Sequence, residues 1–141
     1  MERITWINIG NKVYPMCFSL GAEKKINEKY GSLVEYFNAC RNSKTVKEAY
    51  TDGLEILIQF GAKRLNVLSD GTIKENAAIS EEGEWLPISK ENLEILLVAG
   101  NLEMVGAKIN AAANLAAEKE IKAKPTKETR KNSKTAPEAT N

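Results

Sequence analysis

The chain contains no histidine. This removes the commonest general base and the commonest metal ligand together. Cysteine is almost as scarce. Cys17 and Cys40 stand alone, without C-x-x-C spacing, so no zinc site can be assembled from them. They read as small buried apolar side chains, with a disulfide between them left open. No uninterrupted apolar run approaches the roughly 18–20 residues of a membrane span. The densest run, Ile95 to Ala99, reads as a buried helix turn. The first residues, Met1-Glu2-Arg3-Ile4, lack the charged-then-apolar pattern of a signal peptide. The expectation is a soluble, intracellular protein.

Motifs of catalysis and nucleotide binding are missing as well. Ser19 lies in Phe18-Ser19-Leu20-Gly21, which is no nucleophile elbow, and no histidine could activate it. There is no phosphate-binding glycine loop. Glu81, Glu82 and Glu84, like Glu91 and Glu94, sit in polar surroundings with no apolar pocket to raise a pKa. Asp70-Gly71 lacks the further ligands of a calcium loop. No cofactor and no enzymatic activity are expected.

What the chain does contain is an ordinary globular body and a charged tail. Hydrophobic residues make up 43% and charged residues 28%, values typical of a soluble domain. Residues 119–141 carry seven Lys/Arg against three Glu, and residues 1–118 carry thirteen against sixteen acids. The tail is therefore +4 and the body −3, which together give the net +1. Between Lys122 and Asn141 there is no Leu, Ile, Val, Phe, Tyr or Trp. Such a segment cannot offset an ordering entropy of ~1–2 kcal/mol per residue, so 119–141 is expected to be a disordered, Lys-rich tail behind one domain, 1–118.

The periodicity of the body predicts a mainly α fold. Ile4–Ile9 and Val13–Phe18 read as a hairpin around a Gly10-Asn11 turn, where Gly supplies the positive φ of a type II′ turn. Pro15 makes the second strand short or an edge. Ser19 or Leu20 opens a helix with Ala22, Ile26 and Tyr30 on one face and Gly31 at its end. Ser32 to Glu35 forms a capping box for a second helix that buries Leu33, Tyr36, Phe37 and Cys40. Thr45 to Glu48 forms another, opening a long central helix to Gly61 or Val67, with Gly53 at a close helix crossing. Residues 72–88 are ambiguous: Ile73–Ile79 fits a short helix or a strand, and Leu86-Pro87-Ile88 is extended. Ser89 caps a fourth helix ending at Gly100, with Leu93, Leu96 and Leu97 buried. Asn101 opens the last, with Leu102, Val105, Ile109, Ala112 or Ala113, and Ala116. The whole is an N-terminal β-hairpin packed on a bundle of about five helices.

The order of the first forty residues carries a family likeness. A short hairpin is followed by Phe18-Ser19-Leu20-Gly21-Ala22 and then by Glu28-Lys29-Tyr30-Gly31-Ser32-Leu33. This block resembles the tail assembly chaperones of long-tailed phages and prophages of Gram-positive bacteria. The resemblance covers residues 4–62 well and 86–112 loosely; residues 69–88 do not follow it. It implies a non-enzymatic protein that binds the tape measure protein, whose long apolar helices would otherwise aggregate. It also implies recruitment of tail tube subunits, action in the host cytoplasm, and absence from the finished virion. The matching positions, Tyr14, Phe18, Leu20, Gly21, Ala22, Tyr30, Gly31 and Leu33, look structural.

The residues themselves point the same way. Trp6, Tyr36 and Trp85, with Leu102, Val105 and Ile109 of the Ala-rich last helix, exceed what a small core needs. They are the candidate protein-binding residues, since contiguous apolar surface marks interaction sites. Self-association through the hairpin edge or the last helix is expected. The alternative is a small helix-turn-helix DNA-binding regulator of a mobile element, built on helices two and three. Lys44 and Lys47 suit it, but Glu48 and Asp52 oppose it, and a body of −3 is a poor partner for phosphates.

Overall fold

The computed structural model describes residues 3–72 and 74–118. In chain order its elements are β1 (Thr5–Ile9), β2 (Lys12–Met16), α1 (Leu20–Tyr30), α2 (Leu33–Cys40), α3 (Val46–Leu68), α4 (Lys90–Leu96) and α5 (Leu102–Ala117). A 3₁₀ turn, Ala99–Asn101, precedes α5. The described residues are mainly helical, with an N-terminal two-stranded hairpin and five α-helices. The disorder expected for 119–141 lies outside the described residues.

Gly10 turns the hairpin at φ 62°, and the strands pair antiparallel with Ile7 opposite Tyr14. Ile7 and Ile9 are buried, the alternation of a half-covered strand. In β2, Tyr14, Pro15 and Met16 are buried in succession. The reason is that β2 is not a free edge. Val13 N–H donates to the Asn76 carbonyl at 2.8 Å, and Ala78 N–H donates to the Val13 carbonyl at 3.0 Å. Pro15 has no amide to continue this ladder, so it stops at one parallel bridge, Val13 to Ala77. Residues 76–88 are therefore extended rather than helical. They fold back through an Ile79–Trp85 bridge around a turn in which Gly83 has φ 88°. Asn66 of α3 fixes this segment: its side-chain amide donates to the Trp85 carbonyl at 3.2 Å and accepts from the Trp85 N–H at 2.9 Å.

Helix α3 is the hub, touching β2, α1, α2, α4 and α5. Two glycines permit the approach. A Cβ on Gly61 would lie 2.2 Å from the Pro15 carbonyl oxygen, and one on Gly53 would lie 1.9 Å from the Tyr36 hydroxyl. The close crossing expected at Gly53 is thus made by a tyrosine, which donates to the Ala49 carbonyl at 2.9 Å. The main core gathers Ile7, Met16, Ile26, Tyr36, Leu54, Leu57, Leu93 and Ile109. A second cluster of Ile4, Cys17, Ala62, Leu65 and Trp85 lies beside it. Both thiols are free; Cys17 is buried and Cys40 half-buried.

Three serine caps form as expected. Ser19, Ser32 and Ser89 accept from the amides of Ala22, Glu35 and Asn92 at 3.2, 3.0 and 3.1 Å. Thr45 does not cap α3; its hydroxyl donates backwards to the Ala39 carbonyl at 2.7 Å, which ties α3 to the end of α2. The fourth helix stops at Leu96 rather than Gly100, and the Asn101 side chain accepts from Val98 N–H at 2.9 Å instead of capping α5.

Candidate functional site

Helix α4 has seven residues and is held to α3 mostly by polar contacts. Lys90 N–H donates to Glu55 Oε2 at 2.9 Å. The Lys90 ammonium pairs with Asp52 Oδ1 at 2.8 Å and also with Glu48. Asp52 is a carboxylate at 1% exposure in the middle of α3. Its other oxygen accepts from the Tyr30 hydroxyl at 2.5 Å, and Lys29 lies 3.2 Å from Oδ1. Burial alone would push the Asp52 carboxyl up, but Lys90, Tyr30 and Lys29 outweigh it and hold it below the usual value. The same contacts act on their partners. Burial would lower Lys90, yet Asp52 and Glu48 raise it; burial and Asp52 both raise Tyr30.

One apolar anchor completes the attachment, Leu93 at 0% exposure. A helix of two turns resting on one side chain cannot bury the rest of its apolar residues. Ile95 is 71% exposed, Leu96 46% and Val98 65%. The densest apolar run of the sequence, expected as a buried turn, is thus an exposed corner. There α4 and the Ala99–Ala117 segment meet at 102°.

Hollows flank the corner on both sides. One, of about 370 Å³, runs between the start of α3 and the start of α5, with Tyr50, Leu97, Val98, Leu102 and Val105 on its wall. The other, of about 300 Å³, lies between α4 and the hairpin, with Tyr14, Pro87, Ile88, Ile95 and Leu96 on its wall. Polar groups share both walls: Lys47, Glu48, Thr51, Glu94 and Asn101 line the larger hollow, and Ser89 and Asn92 the smaller, a mixed surface of the kind found at protein interfaces. Among the described residues no group of carboxylates and thiols could hold a metal ion. Among the described residues no single helix is long and apolar enough to cross a membrane.

The six candidate residues separate on this surface. Leu102 is half-buried and lines the larger hollow, with Val105, at 0% exposure, as its floor. Trp6 is half-buried, 5.3 Å from Trp85 ring to ring, with the Lys74 ammonium over its face. Tyr36, Trp85, Val105 and Ile109 are core residues at 0, 4, 0 and 1% exposure. Their expected place on a binding surface is corrected: Tyr36 fills the crossing at Gly53, Trp85 is clasped by Asn66, and Ile109 packs under α3. The residues that do face outward at the corner, Ile95, Leu96 and Val98, were expected inside a helix running to Gly100 with Leu96 on its buried face; the helix ends at Leu96 and leaves them uncovered. At the start of α3, the recognition element of a helix-turn-helix reading, Lys44, Lys47 and Glu48 are exposed and Ala49 is buried, and Glu48 pairs with Lys90 of α4. No protein-family model, curated protein or solved structure matches the chain.

Proposed function

We propose that the chain is a tail assembly chaperone that binds the tape measure protein, keeps it soluble, and helps recruit tail tube subunits in the host cytoplasm before the virion is complete. The observation that carries this reading is the exposed Ile95–Leu96–Val98 corner with a partly apolar hollow on each side. It offers a long apolar helix a temporary partner. The resemblance of residues 4–62 supports the same reading. Each site is small, so affinity per copy is modest. Many copies along one client, aided by self-association, hold the complex by avidity and still release it to the tube.

Co-expression with the product of the neighbouring long, helix-rich reading frame tests this. The soluble yield of that product is expected to rise several-fold, and Ile95→Asp with Val98→Asp is expected to abolish the rise. An unchanged yield with the unsubstituted chain overturns the reading. Salt-dependent binding to duplex DNA would favour the regulator instead.

A further inference from the structure

A second apolar surface lies away from the α4–α5 corner, and it carries cations. Leu20 of α1 and Val67 of α3 are each 81% exposed, and Leu68 is 59% exposed. Phe60, Arg64, Val67 and Leu68 follow the i, i+4, i+7, i+8 spacing of one helix face. The first turn of α1 packs directly on this face, since a Cβ on Gly21 would meet the Phe60 ring at 2.4 Å. On α3, beside the Ser19 cap of α1, lies a shallow hollow of about 310 Å³. Lys63 and Arg64 line it, and the Lys63 ammonium sits 5.3 Å from the centre of the Phe60 ring. Neither cation has an ion-pair partner among the described residues.

We infer that this α1–α3 surface is a docking site for an amphipathic helix of another protein whose apolar stripe is flanked by Asp or Glu. The shape argues for a helix. The exposed ridge of α3, with the N-terminal end of α1 beside it, makes a shallow trough for one further helix, and Phe60 to Leu68 spans about 12 Å at 1.5 Å per residue, matching roughly two turns of a partner. The charge argues for acids on that partner, because two unpaired cations beside a desolvating apolar face gain most from carboxylates. The chain's own residues 119–141 do not fit. They are +4 and carry one large apolar residue, Ile121, so the trough would repel them and gain little from burying them. The inference stands apart from the chaperone reading, whose surface is the α4–α5 corner and whose client is read out by solubility.

The full-length chain, titrated with two fluorescent 18-residue helical peptides, provides the test. Both carry Leu at i, i+3, i+4 and i+7; one is flanked by Glu and the other by Lys. The Glu peptide is expected to bind at least about tenfold tighter, and Val67→Asn is expected to weaken it by about the same factor. Lys63→Glu with Arg64→Glu is expected to reverse the preference. All variants retain residues 119–141, so the cations there are constant across the comparison. Equal binding of both peptides, or binding indifferent to Val67→Asn and to the charge reversal, overturns the inference. So does concentration-dependent self-association lost in Val67→Asn, which assigns the surface to a second copy. Displacement of the peptide by anionic phospholipid vesicles assigns it to a lipid surface and overturns it too.

Discussion

At the residue scale, Gly53 separates helix propensity from packing. Propensity alone favours alanine in the middle of a helix by about 1 kcal/mol. The geometry opposes it, because the new Cβ would sit 1.9 Å from the Tyr36 hydroxyl, and Tyr36 is at 0% exposure with its hydroxyl bound to the Ala49 carbonyl. Overpacking a rigid core costs about 1–3 kcal/mol, so Gly53→Ala is expected to destabilise by roughly 1–2 kcal/mol net in urea denaturation. Tyr36→Phe removes the clashing oxygen at the cost of one hydrogen bond, about 1 kcal/mol. The double variant is therefore expected to be more stable than the sum of the two single losses, with a coupling of about 1 kcal/mol or more. Simple additivity would mean that α2 and α3 do not cross through this contact. That a close crossing occurs at Gly53 was legible from an isolated glycine inside an apolar helix. Its partner was not, since the spacing of Tyr36 on α2 says which face is apolar but not which neighbour covers it.

At the element scale, α4 places two kinds of apolar residue side by side. Leu93 is its anchor, and Leu93→Ala is expected to cost about 2–5 kcal/mol. Ile95 and Val98 are mostly exposed, so Ile95→Asp with Val98→Asp is expected to change stability by no more than about 1 kcal/mol in all. Urea midpoints of the two variants check the contrast, and a large loss in the second would mean that the corner is covered. The same element marks the limit of sequence reading. Ser19, Ser32 and Ser89 located the starts of α1, α2 and α4, because a cap is a local hydrogen bond between residues three apart. Gly10 located the hairpin turn for the same reason. Residues 76–88 stayed ambiguous because their backbone partners are Val13 and Asn66, which lie far away in the chain. Ile95 to Ala99 was misread because apolar density reports what a segment could bury, not whether a second element is present to cover it.

At the scale of the whole molecule, one buried charge joins three helices. Asp52 in α3 binds Tyr30 and Lys29 of α1 and Lys90 of α4, so the attachment of α4 and of its exposed corner depends on the ionisation of that carboxyl. Its folded pKa lies below the unfolded value of about 3.9. The stabilisation it supplies is therefore complete above that value and is lost as the pH falls through the folded pKa. Lys90 is raised in the folded state, so its share is present below the unfolded value of about 10.4 and is lost only as the pH rises past the folded one. The cluster contributes a plateau across the neutral range with an acid limb below about pH 4. Removing one partner of a fully buried pair costs about 3–5 kcal/mol. Lys90 and Lys29 have side chains 24% and 52% exposed, and solvent screening reduces the expected cost of Asp52→Asn to roughly 2 kcal/mol at pH 7. The difference between the two proteins is expected to hold above about pH 4 and to shrink as the pH falls below it towards the folded pKa, because the unfolded Asp52 carboxyl takes up its proton first while the amide has nothing to titrate. Chemical denaturation at a series of pH values reads this directly. A difference independent of pH would place the cost in packing rather than charge, and the hold on α4 would then rest on Leu93 and on the Lys90 contacts with Glu55 and Glu48.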